Sequence, residues 1–215
     1  SLAHEGVLFL DELAEFQKNV LEVLRQPLEE KQIRIARSHG TYVFPANFIL
    51  VAAMNPCPCG NYPNLEKCTC TPGQIRHYLG RISQPFLDRM DLCIETPRIK
   101  YEALSVRKPQ ESSKEIRKRV VKTRNIQNMR YAETGITSNA LLGVRELEKY
   151  CQLGEAEERL MKRAYLAMGL TARTYHKILR VARTIADMEE SERIREHHLK
   201  EAISYRTIDK KYWGR

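Results

Sequence analysis

Apolar residues in the first hundred positions fall into short runs separated by polar breaks. The run GVLFL at residues 6–10 is continuous and is closed by Asp11 and Glu12, the pattern of a strand buried in a parallel sheet. A helix is expected over residues 14–24, with Phe16, Val20, Leu21, Val23 and Leu24 on its apolar face. Residues 32–36 then alternate polar with apolar, Ser38, His39 and Gly40 are turn-forming, and residues 41–44 are again β-prone. That succession predicts a hairpin with a polar tip. Residues 47–53 read as a second buried strand and 91–95 as a third, with a helical stretch at 74–81 and the segment 85–89 between them. Strands separated by helices predict a parallel α/β sheet.

Beyond Thr96 and Pro97 no β-rich run appears and every segment has helical period. Helices are expected over residues 112–130, 138–150, 155–168, 171–188 and 195–205, interrupted by Gly135, Gly154 and Gly169. Thr171 suits an N-cap, with Ile178, Leu179, Val181, Ala182 and Ile185 as the apolar stripe behind it. The fold class expected is therefore an α/β part with a β-hairpin insertion over residues 1–98, followed by an all-α part over 99–215.

Charge sharpens this division. The 215 residues carry 36 Lys and Arg against 27 Asp and Glu, yet residues 1–100 are balanced at 11 of each sign and the whole excess lies beyond them. Seven basic residues, among them Lys118 and Arg119, crowd positions 114–130 beside a single acid, Glu115. Such a patch attracts nucleic-acid phosphates, and it is equally the solvated face of a basic helix. With 42% hydrophobic and 29% charged residues the chain is not of the disordered class. No apolar run reaches the roughly 18 residues that span a bilayer, and residues 1–10 have neither a basic leader nor a cleavage site. A cytoplasmic protein without membrane attachment is expected, and the absence of an initiator Met suggests an excised piece of a longer one.

Two local patterns carry chemistry. Acids at the end of an apolar strand stand at the carboxyl edge of a parallel sheet, where such folds place ligands. There Asp11 and Glu12 suit magnesium and the activation of water, or else Asp11 caps the next helix and Glu12 occupies its first turn. Cys57, Cys59, Cys68 and Cys70 bracket an eight-residue loop, 60–67, and four thiols in that span suggest a zinc tetrahedron. The C-x-C spacing departs from the commoner C-x2-C, so disulfides or free thiols stay open as alternatives. His77 is a weaker ligand candidate, and Cys93 and Cys151 read as core residues.

Six segments in order, GVLFLDEL (6–13), RQPLEEKQIRIAR (25–37), FPANFILVAAMNPCPCG (44–60), TPGQ (71–74), LDRMDL (87–92) and LTARTYHKILRVARTIADM (170–188), resemble the AAA+ ATPases. Within them the resemblance is to the magnesium-chelatase-like branch that includes competence-associated helicases. It covers nearly the whole chain and implies a partial AAA+ core followed by a helical lid. It makes Asp11 and Glu12 the Walker B pair, Asp11 holding Mg²⁺ through water and Glu12 serving as base. It makes Asn55 the sensor 1 amide, Arg89 an arginine finger supplied to a neighbouring subunit, and Arg173 sensor 2, with Arg180 as substitute. Read from the residues alone, Asn55 is a turn residue before Pro56, and Arg89 forms an intrachain ion pair with Asp88 or Asp91.

The resemblance also implies ATP and Mg²⁺ as cofactors and a homo-oligomeric ring, a hexamer. Its hairpin, with Arg34, Arg37 and His39 near the tip, would follow DNA in the pore, while Lys118 and Arg119 would add phosphate contacts. The alternative is a chelatase-type motor that remodels a protein partner. One departure is plain: no Gly-Lys pair occurs in the 215 residues, so the GxxxxGK[ST] phosphate loop of this family is missing. The expectation is that it lies upstream in a longer protein and that the piece in hand is inactive alone.

Overall fold

The computed structural model describes residues 1–97 and 111–213. The chain forms two compact units, one of Ser1–Met90 together with residues 211–213, the other Asp91–Lys210. The boundary expected at residue 98 lies outside the described residues.

In the first unit the strands are β1 (Val7–Leu10), β2 (Gln32–Arg37), β3 (Gly40–Pro45) and β4 (Ile49–Ala52). β1 and β4 pair in parallel from Val7 opposite Ile49 to Leu10 opposite Ala52. Their apolar runs are continuous, yet the described residues cover one face only. Leu8, Leu10, Leu50 and Ala52 are half-buried, while Val7, Phe9, Ile49 and Val51 are exposed. Behind the covered face lies a core of Leu13, Ala14, Leu21, Tyr78, Leu79 and Phe86. β2 and β3 form the expected antiparallel hairpin, turning at Ser38 and His39 between Arg37 and Gly40. Gly40, at φ 141°, adopts a backbone conformation that side-chain-bearing residues rarely reach.

The helix expected over residues 14–24 is broken. Leu13–Glu15 forms a single 3-10 turn, Phe16 and Gln17 are extended, and α1 (Lys18–Val23) begins only after them. The cause is a tertiary bond: the Leu13 N–H donates to the Ala53 carbonyl at 2.9 Å, tying this turn to the end of β4. α2 (Arg25–Glu30) follows, with Pro27 in its first turn, where a missing N–H costs nothing. α3 (Pro72–Leu79) opens on a capping box between Thr71 and Gln74, and α4 (Gln84–Leu87) on Ser83.

The third strand expected at residues 91–95 does not form. Asp91 pairs with Lys177 at 2.7 Å, and the Cys93 N–H donates to the Tyr205 carbonyl at 3.2 Å. These bonds hold the segment within the second unit.

The second unit is helical throughout its described part: α5 (Ser113–Arg130), α6 (Val144–Tyr150), α7 (Glu155–Met168), α8 (Ala172–Met188) and α9 (Glu196–Trp213). The helix expected over 138–150 splits, because Leu142 turns extended and its carbonyl accepts both Nε and a terminal nitrogen of Arg180, at 3.0 and 2.6 Å. Thr171 caps α8, whose stripe of Ile178, Leu179 and Ala182 is buried with Tyr131, Leu142, Leu147, Met161 and Leu199. Cys151 belongs to this core, whereas Cys93 is only half-buried.

Candidate functional site

Because β1 and β4 are parallel and end in register, the residues after each emerge at one sheet edge. The Ala53 N–H donates to the Leu10 carbonyl at 2.9 Å, continuing the pairing past both strands. Asp11 and Glu12 follow β1, Asn55 follows β4, and all three are exposed. The Asp11 carboxylate accepts from the Glu12 N–H at 2.8 Å. Glu12 itself is left-handed, at φ 50° and ψ 45°, a conformation that costs a side-chain-bearing residue roughly 1–2 kcal/mol. Strained, acidic backbone at the carboxyl edge of a parallel sheet is where open α/β folds bind ligands. Two exposed carboxylates after one strand and a carboxamide after the other offer donors for a hard divalent cation and for a water at that edge.

Arg89 forms an intrachain ion pair, but with Glu29 and not with Asp88 or Asp91. Its guanidinium, 8% exposed, pairs with Glu29 at 2.7 Å and donates to the Pro85 carbonyl. Asp88 accepts instead from Gln84 at 2.9 Å. Nothing in the sequence singles out Glu29, which lies sixty positions away in α2. On the hairpin, Arg34, Arg37 and His39 are exposed, and Arg34 approaches Glu30 at 3.5 Å.

Within the second unit, Arg173 is exposed in the first turn of α8. Arg180 is engaged with the Leu142 carbonyl, and burial pushes its guanidinium below the ordinary value. Lys118 is exposed, while Arg119 pairs with Glu111 at 2.8 Å. The first half of α5, through Lys122, is exposed on every side.

Two groups of metal-ligating side chains occur among the described residues. One is the predicted set Cys57, Cys59, Cys68 and Cys70. The other, Glu189 with His197 and His198, has no signature in the sequence, because Glu189 caps the end of α8 and the two histidines open α9. The Glu189 carboxylate meets Nε2 of His197 at 2.8 Å and of His198 at 3.0 Å. However, Nδ1 of His198 accepts the Arg195 N–H at 2.9 Å. That bond fixes the proton on Nε2, where it donates to Glu189, leaving no lone pair there for a metal. His198 acts as the helix-capping partner of Arg195.

Comparison with known proteins places the chain. The family described as magnesium chelatase, subunit ChlI, matches residues 1–104, and the one described as magnesium chelatase, subunit ChlI C-terminal, matches residues 110–206. Competence protein ComM of Haemophilus influenzae is 45% identical over 97% of this chain and 40% of its own length. The uncharacterized protein YifB of Salmonella typhimurium is 44% identical over 98% of this chain and 41% of its own. A Mycobacterium tuberculosis relative, Rv2897c, is 38% identical over 87% of the chain. The chain thus spans about two fifths of the length of these curated relatives. No helix among the described residues is long and apolar enough to cross a membrane. The two family matches run in tandem along nearly all of the sequence, and the chain belongs to the magnesium-chelatase-like family.

Proposed function

We propose that these residues are the later part of a ring-forming AAA+ ATPase, a hexamer, that couples ATP hydrolysis to DNA remodelling or branch migration. The observation that carries this reading is the convergence of Asp11, Glu12 and Asn55 at the shared end of β1 and β4. The family implies nucleotide and magnesium, and the exposed carboxylates fit the metal by donor type. Asp11 would hold Mg²⁺ through water, and the ion would neutralise charge on the phosphates. Glu12 would accept the proton of the attacking water while Asn55 orients that water. Arg89 would reach a neighbouring subunit only by giving up Glu29, which makes its ion pair a resting contact. Arg173, exposed in the first turn of α8, suits an anion by its place at a helix N-terminus, with Arg180 as its substitute. Cys57, Cys59, Cys68 and Cys70 suit zinc.

With no Gly-Lys pair among its residues, this chain lacks the phosphate loop, so turnover is a property of a longer chain that supplies one. DNA as partner is supported by the exposed basic residues Arg34, Arg37 and Lys118 and by a relative named as a competence protein. The family description favours a second reading, a chelatase-type motor that remodels a protein partner.

One variant separates the possibilities. In the full-length protein Glu12→Gln is expected to bind nucleotide normally while turnover falls on the order of 100-fold or more. Wild-type turnover would remove Glu12 from the role of base. Loaded with nucleotide, the same variant should bind single-stranded or branched DNA with an affinity that falls steeply with salt. Absence of binding at low salt would favour the protein remodeller.

A further inference from the structure

Between Ala52 and Pro72 the chain forms no regular secondary structure, and Cys57 is the only fully buried residue in the stretch. Apolar packing therefore does not account for its defined path. The four cysteines do. Cys57 Sγ lies 3.4 Å from Cys59 Sγ and 3.8 Å from Cys68 Sγ, the Cys59 and Cys68 sulfurs are 3.6 Å apart, and Cys70 completes a group within 4.8 Å. A disulfide requires about 2.05 Å. Four thiolates bound to zinc at about 2.3 Å stand at the corners of a tetrahedron with edges of about 3.8 Å. The observed separations match the tetrahedron and exclude a bridge in this arrangement.

The surroundings suit a bound metal. The Tyr62 N–H points at Cys57 Sγ at 3.4 Å, and the Asn61 amide approaches Cys59 Sγ at 3.8 Å. Donors to sulfur of this kind orient ligands and temper their charge. All four coordination positions are filled by protein, which is the signature of a structural site and not a catalytic one.

The loop's ends give the site a consequence. Cys57 comes two residues after Asn55, and the chain returns at Gly60, whose φ is 73°. A Cβ at Gly60 would stand 3.7 Å from Asn55 Oδ1, so the loop backbone lies against the carboxamide. Cys70 directly precedes the Thr71 capping box that launches α3. We propose that Cys57, Cys59, Cys68 and Cys70 hold one zinc ion in a closed tetrathiolate site, and that the zinc-held loop positions the Asn55 carboxamide at the sheet edge. The zinc site stands on the sulfur geometry alone; the value of positioning Asn55 rests on the nucleotide reading above.

The test uses the 215-residue chain purified without added metal or a histidine tag. One equivalent of zinc per chain after gel filtration is expected, and cobalt substitution should give the intense visible bands and near-ultraviolet charge transfer of a tetrathiolate. Four titratable thiols in this loop with no metal retained, even after incubation with excess zinc, would overturn the site. Cys70→Ser should reduce retained zinc at least tenfold. Should that variant fail to fold, removing and restoring zinc on the wild-type chain gives the same comparison.

Positioning is read by NMR from the Asn55 side-chain amide, identified by its disappearance in Asn55→Asp. Its resonances should shift on zinc removal and return on restoration. A zinc-loaded chain whose Asn55 amide ignores removal keeps the metal site and overturns the positioning. The turnover of Glu12→Gln, measured separately, reports on the nucleotide reading and leaves both results standing.

Discussion

At Asp187 a carboxylate with no solvent exposure accepts four hydrogen bonds. Arg130 binds it at 2.5 and 2.8 Å, Arg183 Nε at 3.1 Å and the Asn139 amide at 2.8 Å. Tyr131 extends the network by donating to Asn139 at 2.6 Å. Removing the carboxylate leaves two guanidinium groups in the interior without their counter-charge. Asp187→Asn is therefore expected to cost about 3–5 kcal/mol, read as a lower urea midpoint with an unchanged slope. None of this was legible in the sequence, where Asp187 is one polar position on a helix and its partners lie up to 57 residues away. Arg89 and Arg180 teach the same point. Their residue type announces an anion, but only the tertiary structure supplies Glu29 for one and a backbone carbonyl for the other. Asp11 and Glu12 stand out in the sequence because they close an apolar run, Asn55 only through the family resemblance, and the parallel pairing brings the two strand ends to one edge.

Helices with an uninterrupted stripe, α7 and α8, match their expected bounds within a residue. Three others do not: α9 runs on to Trp213, eight residues past its expected end, and two are broken where a backbone group is taken by a distant partner, the Leu13 N–H by Ala53 and the Leu142 carbonyl by Arg180. Periodicity records side-chain placement and is blind to such bonds. The short α1 is itself anchored by a side chain, since Glu22 accepts from the Ser83 hydroxyl and from Arg25 at 2.5 Å. The Ser83 bond first, then Arg25, holds the Glu22 carboxyl below the usual carboxylate value. A lowered folded value means that the stabilisation is complete above the unfolded carboxylate pKa, about 4.3, and is lost as pH falls through the folded one. Acid titration of stability should thus be shallower below that pH in Glu22→Gln than in the parent chain. Identical profiles would show that Glu22 contributes nothing to the acid limb.

On the scale of the whole molecule, the two hydrophobic cores share no buried residue among the described residues. Cores this distinct favour separate cooperative transitions. Urea unfolding followed by circular dichroism is expected to show two steps, with Asp187→Asn displacing only the step of the helical unit. A single coincident transition displaced as a whole would contradict this. The chain also carries its own means of telling the steps apart. Trp213 is the sole tryptophan of the sequence, and its indole N–H donates to the Leu79 carbonyl at 3.0 Å beside the first unit's core. It nevertheless sits at the end of α9, most of which belongs to the second unit. Its emission is therefore an intrinsic optical label for the α/β part of the chain. Unfolding of the helical part that spares that hydrogen bond should pass unseen in tryptophan emission, and loss of the α/β core should turn it red.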